Sequence, residues 1–208
     1  MCGGRGTRLG GDTEKPLTPI AGRPMVDRVC DALAESRIET AHAVVSPHAS
    51  ATRAHLTDEG TDRSVIDAPG DGYVADLRYA MEAVGAGDAP LLTAAADLPL
   101  LDAAAVDAVI DAALAAGDGD PPESLTVCVP AARKRDLGVS VDAATEMDGR
   151  EVVPAGINVV GGGNGGSGGG DAAVHLTEDV RLAVNVNYPS DARVAERLLA
   201  DGDHSHGI

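Results

Sequence analysis

The sequence predicts a single α/β domain with a mostly parallel sheet and crossover helices. Short apolar segments alternate along the chain with longer segments of helical periodicity, an order typical of parallel strands joined by helices. The length of 208 residues is sufficient for one domain with its own core. Ligands of such sheets lie beyond the carboxyl ends of the strands, and a glycine-rich basic segment and several aspartates fall at such places.

The predicted elements follow one another regularly. Apolar runs at 42–46, 64–66, 91–95 and 125–129 predict strands, and helical periodicity marks 24–35, 50–58, 74–84 and 103–115. Further along, 152–160 predicts a strand pair or one bent strand, 183–186 is strand-like, and 190–200 predicts the last helix. We expect one domain over residues 1–200, a flexible glycine loop at 161–170 and a disordered tail at 201–208.

The first residues predict a phosphate-binding loop. Glycine lets the backbone turn its N–H groups towards an oxyanion, and nearby basic side chains add positive charge. The segment is not a P-loop, which needs Gly-Lys-Ser/Thr, and Leu9 stands where a dinucleotide fingerprint has its third glycine. The expected nucleotide-binding residues here are Gly3, Gly4, Arg5, Gly6, Thr7, Arg8 and Lys15.

The charge of the chain restricts its partners. A net charge of −17 disfavours nucleic acid and anionic membranes, and no apolar run approaches the roughly 20 residues of a membrane span. Residues 1–28 carry five basic and three acidic side chains, so a polyanionic ligand is steered to them. Two lysines accompany 14 arginines, and this acidic, lysine-poor composition indicates a salt-rich cytoplasm. The three isolated cysteines favour a reducing compartment.

We expect a strand before the phosphate-binding loop. Such a loop is aimed by a buried strand of about five or six apolar residues, and only Met1 and Cys2 precede Gly3. The sequence therefore predicts an apolar run of that length upstream of Met1.

Asp97 is the expected magnesium ligand. It follows the predicted strand 91–95, and a carboxylate at a strand end facing phosphates suits a hard cation that keeps several waters. Asp97 could instead cap the next helix, although Asp102 suits that position better. Asn185 or Asn187 could supply a second ligand, with Asn187 preferred, and the same Asn-Tyr-Pro segment is also an ordinary turn. The predicted catalytic residues are Arg8, Lys15 and Asp97.

Asp67 is the candidate for reading the base. It follows the strand 64–66 and precedes a glycine turn. We assign Gly72 of that turn to the nucleotide site together with Asp67. A carboxylate can accept the two adjacent donors that guanine presents and adenine lacks. A turn-initiating aspartate explains the position equally well. Asp71 and Asp76 are weaker candidates for the same role.

Taken together, these motifs resemble those of the archaeal adenosylcobinamide-phosphate guanylyltransferases. The resemblance spans residues 2–200 and rests on Cys2-Gly3-Gly4-Arg5-Gly6-Thr7-Arg8, Glu14-Lys15-Pro16-Leu17, Gly70-Asp71-Gly72-Tyr73, Asp97-Leu98 and the segment 153–160. It implies a Rossmann-like nucleotidyltransferase fold related to the molybdenum-cofactor guanylyltransferases. It also implies transfer of GMP from GTP to adenosylcobinamide phosphate, which releases pyrophosphate.

Gly156 and Asn158 are expected on the acceptor side of this site. Gly156 would let the backbone approach a ligand and Asn158 would bond it, whereas a bulge in a plain strand is the alternative. A molybdenum-cofactor or sugar-phosphate nucleotidyltransferase and a non-catalytic GTP-binding protein remain open, and so does a homo-oligomer. The sequence shows no Ser/His/Asp triad, which agrees with an acceptor that is already anionic and needs alignment rather than a general base.

Overall fold

The computed structural model describes residues 1–2, 8–10, 13–58, 63–85, 89–116, 124–161 and 172–203. Its helices are α1 Met25–Ala34, α2 Ser50–Leu56, α3 Tyr73–Ala83, α4 Ala103–Ala116, α5 Ala131–Leu137, α6 Val180–Ala183 and α7 Pro189–Asp203, and a 3-10 helix covers Lys15–Leu17. Its strands are β1 Pro19–Ile20, β2 Arg23–Pro24, β3 His42–Val45, β4 Ser64–Asp67, β5 Leu91–Ala94, β6 Leu125–Pro130, β7 Thr145–Met147, β8 Arg150–Val160 and β9 Ala173–Leu176.

The central strands run mostly in one direction. Strands β3 and β4 are parallel, and a second sheet has the order β5-β8-β6-β9 with β6 and β9 parallel. Strand β8 is antiparallel to both β5 and β6, so β5 and β6 point the same way. The expected α/β fold with a mostly parallel sheet is therefore confirmed, with β8 as the reversed strand.

Small aliphatic side chains fill the core between the sheet and its helices. The chain has no Phe or Trp, and α4 buries Ala105, Val106 and Val109 against sheet residues that include Val127 and Ile157. Each of these five side chains is at most 1% exposed, so close packing compensates for their small size. The rigid sheet that results holds the ends of its strands in place.

Two residues connect the β3–β4 pair to the larger sheet. The backbone N–H of Cys2 donates to the carbonyl of Val44 at 2.8 Å, and Cys2 forms a parallel bridge with Val45. On the other side, the N-terminal ammonium of Met1 donates to the carbonyl of Ala94 at 2.9 Å, and the N–H of Ala96 donates to the carbonyl of Met1 at 3.3 Å. Met1 and Cys2 therefore act as a two-residue strand between β3 and β5.

A cleft continues the line of this short strand between β3 and β5. Its volume is about 600 Å³. One backbone edge of β3 and one of β5 face it. Because Met1 and Cys2 bond to both strands, the space between them is one strand wide. Apolar side chains of α1 and α3 line it, namely Val26, Val29, Cys30, Leu77, Ala80 and Met81.

The C-terminal half differs from the sequence prediction in two places. Residues 183–186 do not form a strand. Ala183 is the last residue of helix α6, and residues 184–186 have no regular secondary structure. Helix α7 continues to Asp203, three residues beyond the expected end of the domain at 200. The rest of the predicted tail, 204–208, and the glycine tract at 162–170 lie outside the described residues. Among the helices that the structure describes, none has both the length and the apolar character of a transmembrane helix.

We expect a short apolar strand fused before Met1 to stabilise the protein. A five-residue extension of Val, Ile and Ala can pair with the open edges of β3 and β5, and the Met1 amide would keep the bond to Ala94. A net gain of about 2 kcal/mol would raise the Tm by roughly 4–8 °C in a domain of this size. Calorimetry should show this rise for the apolar extension and none for a matched Gly-Ser extension. Equal Tm values for the two would contradict the pairing.

Candidate active site

A second cleft lies where the strands β3, β4 and β5 end. Its volume is about 300 Å³, and it is bounded by the segments that follow those strands and by the 3-10 helix at Lys15. The lining side chains and glycines include Lys15, Ser46, His48, Gly70, Gly72, Tyr73, Asp76 and Asp97. This is the carboxyl edge of the parallel strands, where sheets of this type bind ligands.

Lys15 joins two of the predicted site residues. Its ammonium Nζ donates to Asp97 Oδ2 at 2.6 Å and to Asn187 Oδ1 at 2.7 Å. The side chains of Lys15 and Asp97 are only 16% and 18% exposed, so the ion pair is shielded on most sides and opens to the cleft. The structure therefore brings together three residues that lie far apart in the sequence.

Asn185 holds the other oxygen of Asp97. Its Nδ2 donates to Asp97 Oδ1 at 3.3 Å and to the carbonyl of Ala155 at 3.0 Å. The backbone N–H of Val186 also donates to the carbonyl of Asp97 at 3.0 Å. Asp97 is thus fixed by side-chain and main-chain bonds, and it does not cap α4. Asp102 fills that role, with Oδ1 accepting from the N–H of Ala105 at 2.8 Å, as expected.

The carboxylate of Glu14 anchors the segment that carries Lys15. It accepts the backbone N–H groups of Ala51 and Thr52 at 2.9 and 2.7 Å, and the Thr52 hydroxyl at 2.6 Å. Burial opposes ionisation of Glu14, but the bonds from Thr52 and Ala51 outweigh it and lower the pKa of Glu14. Pro16 follows Lys15 and restricts the backbone of the 3-10 helix. Lys15 therefore starts from a fixed backbone position.

Asp191 fixes the backbone on the Asn187 side. It is fully buried, and Oδ2 accepts the N–H groups of Asn187 and Tyr188, each at 2.9 Å. The same carboxylate accepts the N–H and the hydroxyl of Ser140, each at 2.8 Å. The Asn-Tyr-Pro turn is thereby attached to the segment that follows α5, and Asn187 is held opposite Lys15.

Two glycines shape the turn before α3. Gly70 and Gly72 have φ values of 83° and 109°, and a Cβ on Gly70 would lie 2.7 Å from the ring of Pro47. The N–H of Gly70 donates to Asp76 Oδ1 at 2.8 Å, which fixes the turn against the first turn of α3. Asp76 is 6% exposed and lines the cleft, so this weaker candidate lies at the site.

The donors at Asp97 and Asn187 fit a magnesium ion. Their oxygens converge on one cation, the Lys15 ammonium, and oxygen donors are the ligands that Mg²⁺ prefers. Mg²⁺ commonly takes one or two protein ligands and completes its shell with water and phosphate oxygens. No cluster of three or more His, Cys, Asp or Glu side chains suited to a metal is present among the described residues. The fit therefore rests on Asp97 and Asn187.

The structure does not bring Asp67 to this cleft. Arg53 donates to both of its carboxylate oxygens, from Nε at 2.6 Å and from Nη2 at 2.9 Å. The bonds from Arg53 lower the pKa of Asp67, and the side chain is 59% exposed at the end of β4. Guanine could reach this carboxylate only after the Arg53 pair opens.

Arg8 lies beside the site rather than in its centre. Its side chain is 62% exposed, Nη1 is 3.4 Å from Asp142 Oδ2, and the guanidinium lies 5.9 Å from the ring centre of Tyr188. Contact with Tyr188 places it next to Asn187. The remaining residues predicted for the loop, Gly3, Gly4, Arg5, Gly6 and Thr7, lie outside the described residues.

Gly156 and Asn158 have local roles in the sheet. Gly156 has a φ of 83°, and a Cβ there would lie 3.0 Å from Asn185 Nδ2 and 3.2 Å from Ala95 Cβ. Asn158 Oδ1 accepts from the N–H of Val127 at 3.4 Å, where the pairing of β6 and β8 shifts register. The structure thus shows an irregular strand here, with Gly156 giving room to Asn185, and places neither residue in the cleft beside Lys15.

Ser46 and His48 are cleft residues that the sequence analysis missed. The Ser46 hydroxyl is buried and has no hydrogen-bond partner among the described residues, so a ligand in the cleft could bond it. Both residues directly follow β3, and the rule that ligands lie beyond the carboxyl ends of parallel strands would have identified them.

Comparison with known proteins identifies the family of this chain. A family model described as the MobA-like NTP transferase domain matches residues 1–151. The adenosylcobinamide-phosphate guanylyltransferase of Methanocaldococcus jannaschii is 30% identical over 207 residues, which cover 96% of this chain and 95% of the relative. The 2-C-methyl-D-erythritol 4-phosphate cytidylyltransferase of Ralstonia nicotianae is 36% identical over 85 residues, covering 39% of this chain and 34% of the relative.

A solved structure shows the same fold over most of the chain. The CMP:2-keto-3-deoxy-manno-octonic acid synthetase in complex with CTP has a TM-score of 0.59 at 16% identity, covering 94% of this chain and 96% of its own. The family match is consistent with the fold and with a polar cluster of Lys15, Asp97 and Asn187 at the strand ends. The chain belongs to the MobA-like NTP transferase family and is a nucleotidyltransferase.

Proposed function

We propose that this nucleotidyltransferase moves GMP from GTP to adenosylcobinamide phosphate, giving adenosylcobinamide-GDP and pyrophosphate. The observation that carries the choice of substrates is the 30% identity, over nearly the full length of both chains, to a relative of that name. The Lys15–Asp97–Asn187 cluster supports the reaction class, because it sets cation and oxygen ligands at one end of a cleft.

The acceptor explains why the site can act without a general base. A phosphate monoester has a second pKa near 6, so it is already a nucleophilic dianion at neutral pH. What the reaction needs is alignment of two anions and neutralisation of their charge. Lys15 provides a partly shielded ammonium for the triphosphate, and exposed Arg8, which lies against Tyr188, would contact the acceptor or the leaving pyrophosphate.

Asp97 and Asn187 would hold the magnesium ion at the cleft. When bound, the ion neutralises phosphate charge and withdraws electrons from the phosphorus that is attacked. Lys15 would then exchange its two oxygen partners for phosphate oxygens, since an ammonium and a dication repel each other at one position. The flexible lysine stem permits that movement while Glu14 keeps the backbone in place.

The nucleoside would lie in the part of the cleft beyond Lys15. Gly72 and Tyr73 border that region, and the buried Ser46 hydroxyl there has no hydrogen-bond partner in the part of the chain that the structure describes. Asp76 projects into the same region with one oxygen bonded to Gly70. We propose guanine as the base because of the relative's activity, and Asp67 stays a proposed contact that requires release of Arg53.

A turnover assay tests this function. With magnesium and molar salt, pyrophosphate release from GTP should depend on adenosylcobinamide phosphate and be slow with the unphosphorylated alcohol, which is not pre-ionised. GTP should be preferred to ATP by about 5- to 160-fold, the effect of losing one hydrogen-bonded contact to the base worth about 1–3 kcal/mol. Transfer to molybdopterin or a sugar phosphate, with none to the corrinoid, would overturn the proposed acceptor. GTP binding without transfer to any acceptor would overturn catalysis.

Lys15→Ala should weaken GTP binding and slow transfer together. The substitution removes an ammonium that neutralises phosphate in the ground state and in the transition state, so we expect kcat/KM to fall by about 10²-fold or more. Steady-state kinetics with varied GTP measures both parameters. Arg37→Ala is the matched control, because it also removes one positive charge but lies on the surface against Asp107 and Asp111 of α4. Unchanged kcat and KM in Lys15→Ala would exclude Lys15 from the site.

Asp97→Asn should abolish turnover while the fold is kept. The change removes the charge that holds the metal but preserves the size of the side chain, and we expect at least about a 10²-fold loss in kcat. GTP binding without metal should persist, as measured by calorimetry. Asp102→Asn removes the same charge five residues away, keeps a capping oxygen for α4, and should retain activity. A loss of helical circular dichroism in Asp97→Asn would instead indicate a structural role.

A further inference from the structure

The two lysines of this chain lie at the same cluster. Lys15 contacts Asp97 and Asn187 from the cleft, and Lys134 contacts Asn185 from the interior. Fourteen other basic residues are all arginines, so both compact ammonium groups are found at one site. We propose that Lys134 is a positioning residue for nucleotidyl transfer, which fixes the amide of Asn185 and, through it, the carboxylate of Asp97. The inference rests on the function proposed above.

Lys134 is a buried cation with a precise set of contacts. It lies on α5, directly after β6, and is 2% exposed. Its Nζ donates to the carbonyl of Ala183 at 2.8 Å and to Asn185 Oδ1 at 3.0 Å. Both partners are neutral oxygens, the first at the last residue of α6 and the second in the segment that joins α6 to α7. Within the described residues Lys134 forms no direct ion pair.

These contacts determine which way the Asn185 amide faces. An ammonium has donors only, so it must meet the oxygen of the amide and not the NH₂ group. The NH₂ group is then turned to the opposite side, where it donates to Ala155 O at 3.0 Å and to Asp97 Oδ1 at 3.3 Å. A flipped amide would set its NH₂ group against the ammonium and its oxygen against two other oxygens. Lys134 therefore selects the orientation in which Asn185 can hold Asp97.

The space for this amide is made by Gly156. A Cβ at residue 156 would approach Asn185 Nδ2 to 3.0 Å, so a larger residue would press on the amide. The chain thus provides both the donor that orients Asn185 and the space that admits it. This packing explains why residue 156 is a glycine.

Burial of the Lys134 charge costs free energy of folding, which indicates that the ammonium has a role other than stability. Burial lowers the pKa of Lys134, and the carboxylates of Asp191, Asp97 and Asp142 oppose that effect. A buried ammonium without an ion pair does not by itself favour folding, and apolar replacements of buried charges are often tolerated. The role of the ammonium here is to position Asn185 and, through it, Asp97. When Lys15 turns to the triphosphate, Asp97 loses the bond to its ammonium, and the Asn185–Lys134 pair would keep the carboxylate oriented for the metal.

Lys134→Met tests the inference, because it keeps an unbranched side chain and removes the donor. We expect kcat to fall about 10- to 100-fold, the usual effect of losing a residue that orients a metal ligand, while the KM for GTP changes less than threefold. Lys134→Gln retains an uncharged donor and should recover part of the lost kcat. Arg135→Met is the matched control on the same helix, since Arg135 pairs with exposed Glu151, and it should keep wild-type kinetics.

A double-mutant cycle separates positioning from general stability. If Lys134 acts through Asn185, Lys134→Met should add little to the loss in kcat already caused by Asn185→Ala. The side-chain amide signals of Asn185 in ¹⁵N–¹H spectra, identified by their loss in Asn185→Ala, should shift in Lys134→Met. That measurement needs no turnover, so it tests Lys134 even if the proposed acceptor is wrong. Additive losses in kcat, unchanged amide signals, or wild-type kcat in folded Lys134→Met would each overturn the inference.

Discussion

The bonds of one ammonium group organise this site. Lys15 lies near the N-terminus, Asp97 follows a central strand, and Asn187 precedes the last helix, yet their polar atoms meet within 2.7 Å. Without the cation, the carboxylate and amide oxygens would face each other with no donor between them. The ammonium therefore joins side chains from three distant segments at one end of the cleft.

The fold fixes the backbone on both sides of the cleft and leaves the Lys15 side chain free to move. Glu14 and Asp191 are acceptor-only groups that bind backbone N–H groups on either side of the cleft. Asp97 is held by Asn185 and by the main chain of Val186. Preorganised charges of this kind act on a transition state without a reorganisation cost at the moment of reaction. A lysine with a flexible stem can then change partners while its surroundings stay fixed.

The sequence predicted those parts of the molecule that depend on local pattern. The alternation of strands and helices was enough for the fold. Strand-end position singled out Asp97, while the basic segment after the glycines and the Asn-Tyr-Pro segment singled out Lys15 and Asn187, whose side chains meet Asp97 in the structure. Asp67 has the same strand-end position as Asp97, but Arg53 lies on α2 beside it, and no local signal shows that contact. Lys134 was missed for a similar reason. It lies between two arginines on a short helix, and only tertiary packing distinguishes the buried cation from these more accessible neighbours.

The cleft between β3 and β5 also bears on how the protein behaves at high concentration. Unpaired strand edges usually template association between molecules, because each offers a row of free N–H and C=O groups. Here the two open edges face each other across a space only one strand wide, and helices α1 and α3 line its sides. An edge strand of another sheet is paired with its own neighbour, and a space one strand wide has no room for that neighbour. These two facing edges are thus not available for pairing with the sheet of another copy, and the net charge of −17 adds repulsion between copies.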